Sequence, residues 1–296
     1  MIYEVFRQVS GVLVTVFVVS SLFNVGLTQK PSNFVAHLRN WHFLVRMVLV
    51  NLVLVPAVMV LAVTVVDLAP IYEAGLVIFG LSAGAPFLIA LTRESNQDKS
   101  LAATVMTVLI LGTVVIMPIL LPRLVEGVIV DVWAIITALL TQLILPMVMG
   151  MVIRQFLVPL AAAVQPWVAR ISSIALYGLL GTIIIGHLPD MSDAGLWKAI
   201  ATGLVVILIS LFIGYMMGDG FSHLKIVGGL ATAQRNTAAA MIVASKSFSE
   251  PGAIVVVTLV NTLGLVVLMA AARAMSRDAE VLLTPIGADI PERGSK

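Results

Sequence analysis

Runs of about twenty apolar residues follow one another along this sequence with only short polar breaks between them. That pattern constrains the fold more than any other feature. A helix apolar on every face has to be buried or sit in lipid, and so many in a chain of 296 residues cannot all be buried beneath a water-facing exterior. Only 11% of the residues are charged and mean hydropathy is +1.11, whereas about a quarter of a soluble domain is charged. The natural solvent is the bilayer, which takes roughly 20 residues per helical span. The runs are continuous and do not alternate, so helices are expected, not the strands of a membrane barrel.

Spans are expected near 9–28, 43–66, 74–93, 100–122, 131–153, 171–188, 198–217, 226–245 and 252–272. The first lacks a basic leader and an A-x-A-like cleavage site, so it reads as a retained span and not a signal peptide. With the N-terminus outside, inner segments hold 12 lysines and arginines, outer segments hold 4, and Arg235 is left within a span. This asymmetry predicts a multi-pass protein of the cell (inner) membrane with an outside N-terminus and a cytoplasmic C-terminus. Residues 278–296 read as a disordered tail. The net charge of +2 gives no reason to expect nucleic acid, and without cysteines there is no thiolate metal site or disulfide. No metal site is expected, and membrane lipid is an expected partner.

Two spans are interrupted. The third contains Ser82-Ala83-Gly84-Ala85-Pro86 and the eighth Ala231-Thr232-Ala233-Gln234-Arg235-Asn236. Pro86 lacks an N–H and disfavours helix at Ala85, and Gly84 permits irregular backbone. Matched interruptions in oppositely oriented halves, spans one to four and six to nine, are the sequence signature of an inverted-repeat transporter with its binding site at the breaks. Arg235 is the sharpest single feature. An arginine at the centre of a span costs roughly 2.5–3.5 kcal/mol on insertion scales, and no acidic residue lies deep in any expected span. Two readings stand: a substrate anion completes its pair through bidentate hydrogen bonds, or backbone carbonyls of a broken helix satisfy it and it braces the fold. Gln234, Asn236 and Thr237 beside it are candidate cavity-lining groups, with Ser82 in the third span and Asn24 in the first.

Asn24, Asn51, Asn261 and Gly26 are scattered small or polar positions for which helix packing is the alternative. His187 reads as interfacial, the methionines as lipid-facing or core filler, and Asp98 with Lys99 as a solvated face. No H-E-x-x-H, no G-x-S-x-G and no buried carboxylate pair is present, so no enzyme is expected.

The runs Leu22-Phe23-Asn24-Val25-Gly26-Leu27 and Asn51-Leu52-Val53-Leu54-Val55-Pro56 resemble early spans of the bile acid:sodium symporter family, and the chain is similar to its bacterial members. The stretches Ser82 to Pro86 and Ala231 to Ala240 fall where that family has two crossing, unwound helices. The resemblance covers roughly residues 10–275. It implies an all-α membrane protein of inverted repeats, with a panel bundle of spans one, five and six (span two being a candidate fourth member) and a core bundle holding the broken spans three and eight with four and nine. It also implies alternating-access transport of organic anions. Gly84, Pro86, Thr232 and Asn51 would form the structural crossover.

The resemblance implies sodium sites as well, and here the sequence departs. Positions that would supply the first site carry Leu88, Ile89, Ala102, Met106 and Ala231, whose side chains offer no oxygen to a hard cation. The second keeps Asn51 in place of a glutamine and the backbone near Thr232 and Gln234, but its remaining glutamine position falls on Arg235. Hence the expectation that Arg235 acts as a tethered cation, that sodium coupling is disfavoured and that no cofactor is needed. A sodium-coupled symporter of the bile-acid type and a non-transporting membrane sensor are the alternatives.

Overall fold

The computed structural model describes residues 2–29, 37–125, 131–186, 192–218, 222–248, 250 and 252–283. Among these there is no strand. Eleven helices follow: α1 (Ile2–Thr28), α2 (Trp41–Val66), α3 (Pro70–Leu81), α4 (Leu88–Glu94), α5 (Lys99–Leu124), α6 (Val132–Phe156), α7 (Val158–Gly186), α8 (Ala194–Met217), α9 (Ser222–Ala233), α10 (Thr237–Ser247) and α11 (Gly252–Leu283). Six stretches, within or spanning α1, α2, α5, α6, α8 and α11, are long and apolar enough to cross a membrane. The expected third and eighth spans are each two shorter helices, α3 with α4 and α9 with α10, separated at the sequences expected to break them. His187 and residues 284–296 lie outside the described residues, and α11 continues to Leu283, past the expected end of the last span.

Short polar residues start several of these helices. Asp98 accepts from the backbone N–H of Ser100 and Leu101, Asp131 from Ala134 and Asp193 from Gly195, each satisfying donors that a helix start leaves over. The tyrosine hydroxyl of Tyr72 donates to Asp193 at 2.8 Å. That bond, with the Gly195 N–H, holds the exposed Asp193 carboxyl below its usual range.

Proline shapes two long helices from within. In α2 the turn Val50–Leu54 is widened to π geometry, and the N–H of Val55 donates to Val50 O, just before Pro56. In α6 the same arrangement spans Leu140–Ile144, with Leu145 N–H on Leu140 O, before Pro146. The wider turn relieves the clash a proline ring makes with the preceding turn. It also leaves one carbonyl over. Asn51 O would normally accept from residue 55, whose N–H is committed to Val50, and residue 56 has no N–H to offer.

Two groups of helices pack around these elements. The first helix, α1, packs most extensively on α7 and α6. A Cβ on Gly26 would lie 2.1 Å from the Met147 carbonyl oxygen and one on Gly150 2.5 Å from the Phe23 carbonyl, so α1 and α6 meet backbone to backbone. The second group is built on α8 with α9 and α11 with α3, joined by α4, α5 and α10. Span two was a candidate for the first group; α2 packs mainly on α3, α5 and α8, which places it in the second. The groups touch through α1 with α10 and α6 with α5 and α10.

Candidate functional site

The two helix breaks meet. Asn236 donates its backbone N–H to Ser82 O at 2.7 Å and its side-chain amide to Gly84 O at 2.9 Å, while its Oδ1 accepts from Ala239 N–H and caps α10. On the other side, Thr113 Oγ1 receives Ala83 N–H at 2.9 Å and donates back to Ala83 O at 3.0 Å. Gly84 sits at φ +81°, and a Cβ there would lie 2.5 Å from Ile110 N. Only glycine meets both conditions without strain. These bonds take up backbone groups that two broken helices would otherwise leave unpaired in an apolar interior.

Arg235 follows the C-terminus of α9 and is 2% exposed. Its guanidinium makes four hydrogen bonds, all to neutral oxygens. Nη1 donates to Asn51 Oδ1 at 2.9 Å, Nη2 to Asn51 O at 3.1 Å and to Gly80 O, and Nε to Phe79 O at 3.4 Å. Each acceptor has a local reason to be available. Asn51 O is the carbonyl orphaned by the π turn and Pro56. Gly80 is in the last turn of α3, where carbonyls lack α-helical donors and the helix dipole is negative, and Phe79 O beside it also accepts the capping N–H of Ser82 at 3.2 Å. Asn51 is fixed in turn, because its amide donates to Met47 O at 2.9 Å and Thr232 Oγ1 at 3.1 Å. Gln234 donates to Asn261 Oδ1 on α11 at 3.0 Å. Ser82 turns back to Ile78 O, and Thr237 Oγ1 is buried without a hydrogen-bond partner among the described residues.

The structure therefore brings together Arg235, Asn236, Gln234, Thr237, Ser82, Gly84, Thr232 and Asn51. Asn24 stands apart from them. It lines a cavity of about 490 Å³ between the two helix groups, where its Oδ1 accepts from Gln165 Nε2 at 2.9 Å. Pro86 borders the same cavity. From α1 come Phe17, Ser21, Asn24, Val25 and Thr28; from α7, at the same helical intervals, Gln165, Ala169, Ser172, Ser173 and Leu176. The opposite wall is α4 and the start of α5, including Phe87, Arg93 and Lys99. Among its described lining residues there are two cations and no carboxylate, and behind the wall Arg93 Nη2 lies 3.6 Å from Glu94 Oε1, a carboxylate shared with Arg273.

Gln165, Ser172, Ser173, Arg93 and Lys99 were not among the expected site residues. The helix α7 begins at Val158, well before the expected span at 171, and runs through Pro166. The signal that could have found its polar face is the shared i, i+4, i+7, i+8, i+11 spacing with α1.

Described residues without a strand, six helical stretches fit to cross a bilayer and a cluster of buried polar side chains at two helix breaks make this a multi-pass membrane protein. A match to the sodium bile acid symporter family covers residues 15–193, more than half of the sequence, and the chain belongs to that family. Its members are membrane transporters rather than enzymes. No curated protein was found to match the chain.

Proposed function

We propose that the protein is a secondary carrier of small organic anions working by alternating access. The observation that carries this reading is the cavity between the helix groups, with Arg93 and Lys99 and no acid among its described lining residues. Such a site attracts an anion and offers it hydroxyl and amide partners from Ser21, Asn24, Gln165 and Ser172. In this reading α1, α6 and α7 form the panel and rock against the remaining helices, the core. Counting α3 with α4 and α9 with α10 as one crossing each gives nine crossings, and α1 to α5 then relate to α7 to α11 as inverted repeats. The lysine and arginine distribution supports an outside N-terminus, and in that orientation the Arg93 end of the cavity faces the cytoplasmic side of the inner membrane.

Family membership by itself favours sodium symport. The crossover supports a different coupling. Asn51 Oδ1, Asn51 O, Phe79 O and Gly80 O are the kind of neutral oxygens that ligate a hard cation, and all accept from Arg235. Arg235 is a covalently resident cation in this account, bracing the crossover and leaving substrate recognition to the cavity. A sodium ion about 4 Å from it would be repelled by roughly 4 kcal/mol at an effective dielectric of 20.

Reconstitution into proteoliposomes with a panel of labelled carboxylates and sulfonates tests the proposal. Saturable, competable uptake is the expected result. Binding without flux would favour a sensor using the same fold, and neither binding nor flux would defeat the anion reading.

A further inference from the structure

The cavity is graded along its length, and three helices agree on the direction. On α1, Thr28 and Asn24 lie toward one end and Phe17 toward the other, eleven residues or about 16 Å from Thr28. On α7, Gln165 sits beside Asn24, whereas Leu176 lies eleven residues further on. On the facing wall, Arg93 ends the lining of α4 with Lys99 beyond it, whereas Phe87 begins it next to Pro86. The apolar ends converge: the Phe17 and Phe87 rings have centroids 6.3 Å apart at 30°. Phe17 belongs to the α1, α6, α7 group and Phe87 to the other, so the two groups meet at this contact, which borders the cavity.

Resting on the reading of this cavity as the anion site, we infer that it holds its anion in one direction and measures its length. The charged head lies toward Arg93 and Lys99, the middle meets the hydroxyl and amide groups of α1 and α7, and an apolar tail runs to the Phe17–Phe87 pair. Phe17 and Phe87 are then specificity-determining residues. Each methylene added to the tail gains apolar contact until it meets the rings, and the next one has nowhere to go.

A series of linear n-alkanoates of increasing length, tested for uptake into proteoliposomes and for competition, reads this directly. In the intact protein, 1/KM should rise by about fourfold per methylene to a cut-off and fall beyond it. Phe87→Ala and Phe17→Ala should move the cut-off to longer chains, changing the ratio of 1/KM for a chain just beyond the cut-off to one just below it by about tenfold. Phe87→Trp should move it to shorter chains, and Phe87→Leu, kept as a folding control, should transport. Arg93→Gln should weaken binding at every chain length without moving the cut-off. An unchanged cut-off in both alanine variants, with uptake intact, overturns the inference and leaves the carrier reading standing. A cut-off that moves in Arg93→Gln and not in Phe87→Ala overturns the assigned direction. Absence of uptake and competition for every anion tried, in the intact protein, defeats the carrier reading and this inference with it.

Discussion

Asn51 presents to Arg235 a backbone carbonyl that its own helix cannot use, with Nη2 3.1 Å from the oxygen. The π turn and Pro56 create the vacancy, and the arginine 184 residues away fills it. The same guanidinium takes Asn51 Oδ1 and the last-turn carbonyls of α3. One buried side chain thus joins α2, α3 and the end of α9.

Replacing Arg235 with leucine should destabilise the folded protein by about 3 kcal/mol or more, since several buried acceptors lose their donor at once. Pro56→Ala supplies an N–H next to the orphaned carbonyl. The cost of Arg235→Leu should therefore be smaller in the Pro56→Ala background by about 1 kcal/mol. A double-mutant cycle on unfolding in detergent measures this; strict additivity would contradict the assignment of Asn51 O to Arg235.

Gly84→Ala places a side chain at φ +81° and 2.5 Å from Ile110 N. Little folded protein is expected, judged by gel filtration in detergent. Gly11→Ala is the control, because nothing lies within 4 Å of its added Cβ. It should behave as the parent does.

Neutralising the cavity cations should act on binding before it acts on folding. Arg93→Gln and Lys99→Gln are each expected to raise KM for an anionic substrate about tenfold, the loss of a charge-assisted hydrogen bond, with thermal stability nearly unchanged. Both side chains lie at exposed positions. Equal losses in KM and melting temperature would point to a structural role instead.

Asp193 provides a pH-dependent contact on the turn before α8. Its carboxyl is held below the usual range by the Tyr72 hydroxyl and then by the Gly195 N–H. A depressed carboxyl contributes stability fully above its unfolded value near 3.9 and loses it as pH falls through the lower, folded value. Tyr72→Phe should therefore lower the melting temperature at neutral pH, and the difference from the parent should close in strong acid. A difference that instead grows on acidification would reverse the sign of this linkage.

Much of the helical order was legible in the sequence because apolar runs the length of a bilayer have few other uses. Both breaks were legible too, since Gly84 with Pro86 and Arg235 with Asn236 cannot continue an apolar helix cheaply. Arg235's partners were not. Backbone carbonyls leave no mark on a sequence, and the pairing of a π turn at Asn51 with the end of α3 exists only in three dimensions. The cavity wall was missed for a local reason: the expected sixth span began at 171, which left Gln165 in an expected loop. In the fold α7 continues through it, and Gln165 reaches Asn24. Lys99 looked like an ordinary solvated charge, and Arg93 like one more inner-side cation, because nothing in their neighbourhood along the chain announces the cavity beside them.

Under the proposed function, Arg235 stands covalently where a coupling cation would otherwise bind, on the oxygens of Asn51, Phe79 and Gly80. Initial rates of organic-anion uptake into proteoliposomes, compared in sodium, potassium and choline media at equal ionic strength and pH, test it most directly. The account predicts saturable uptake at the same rate in all three. Uptake that requires sodium would contradict it.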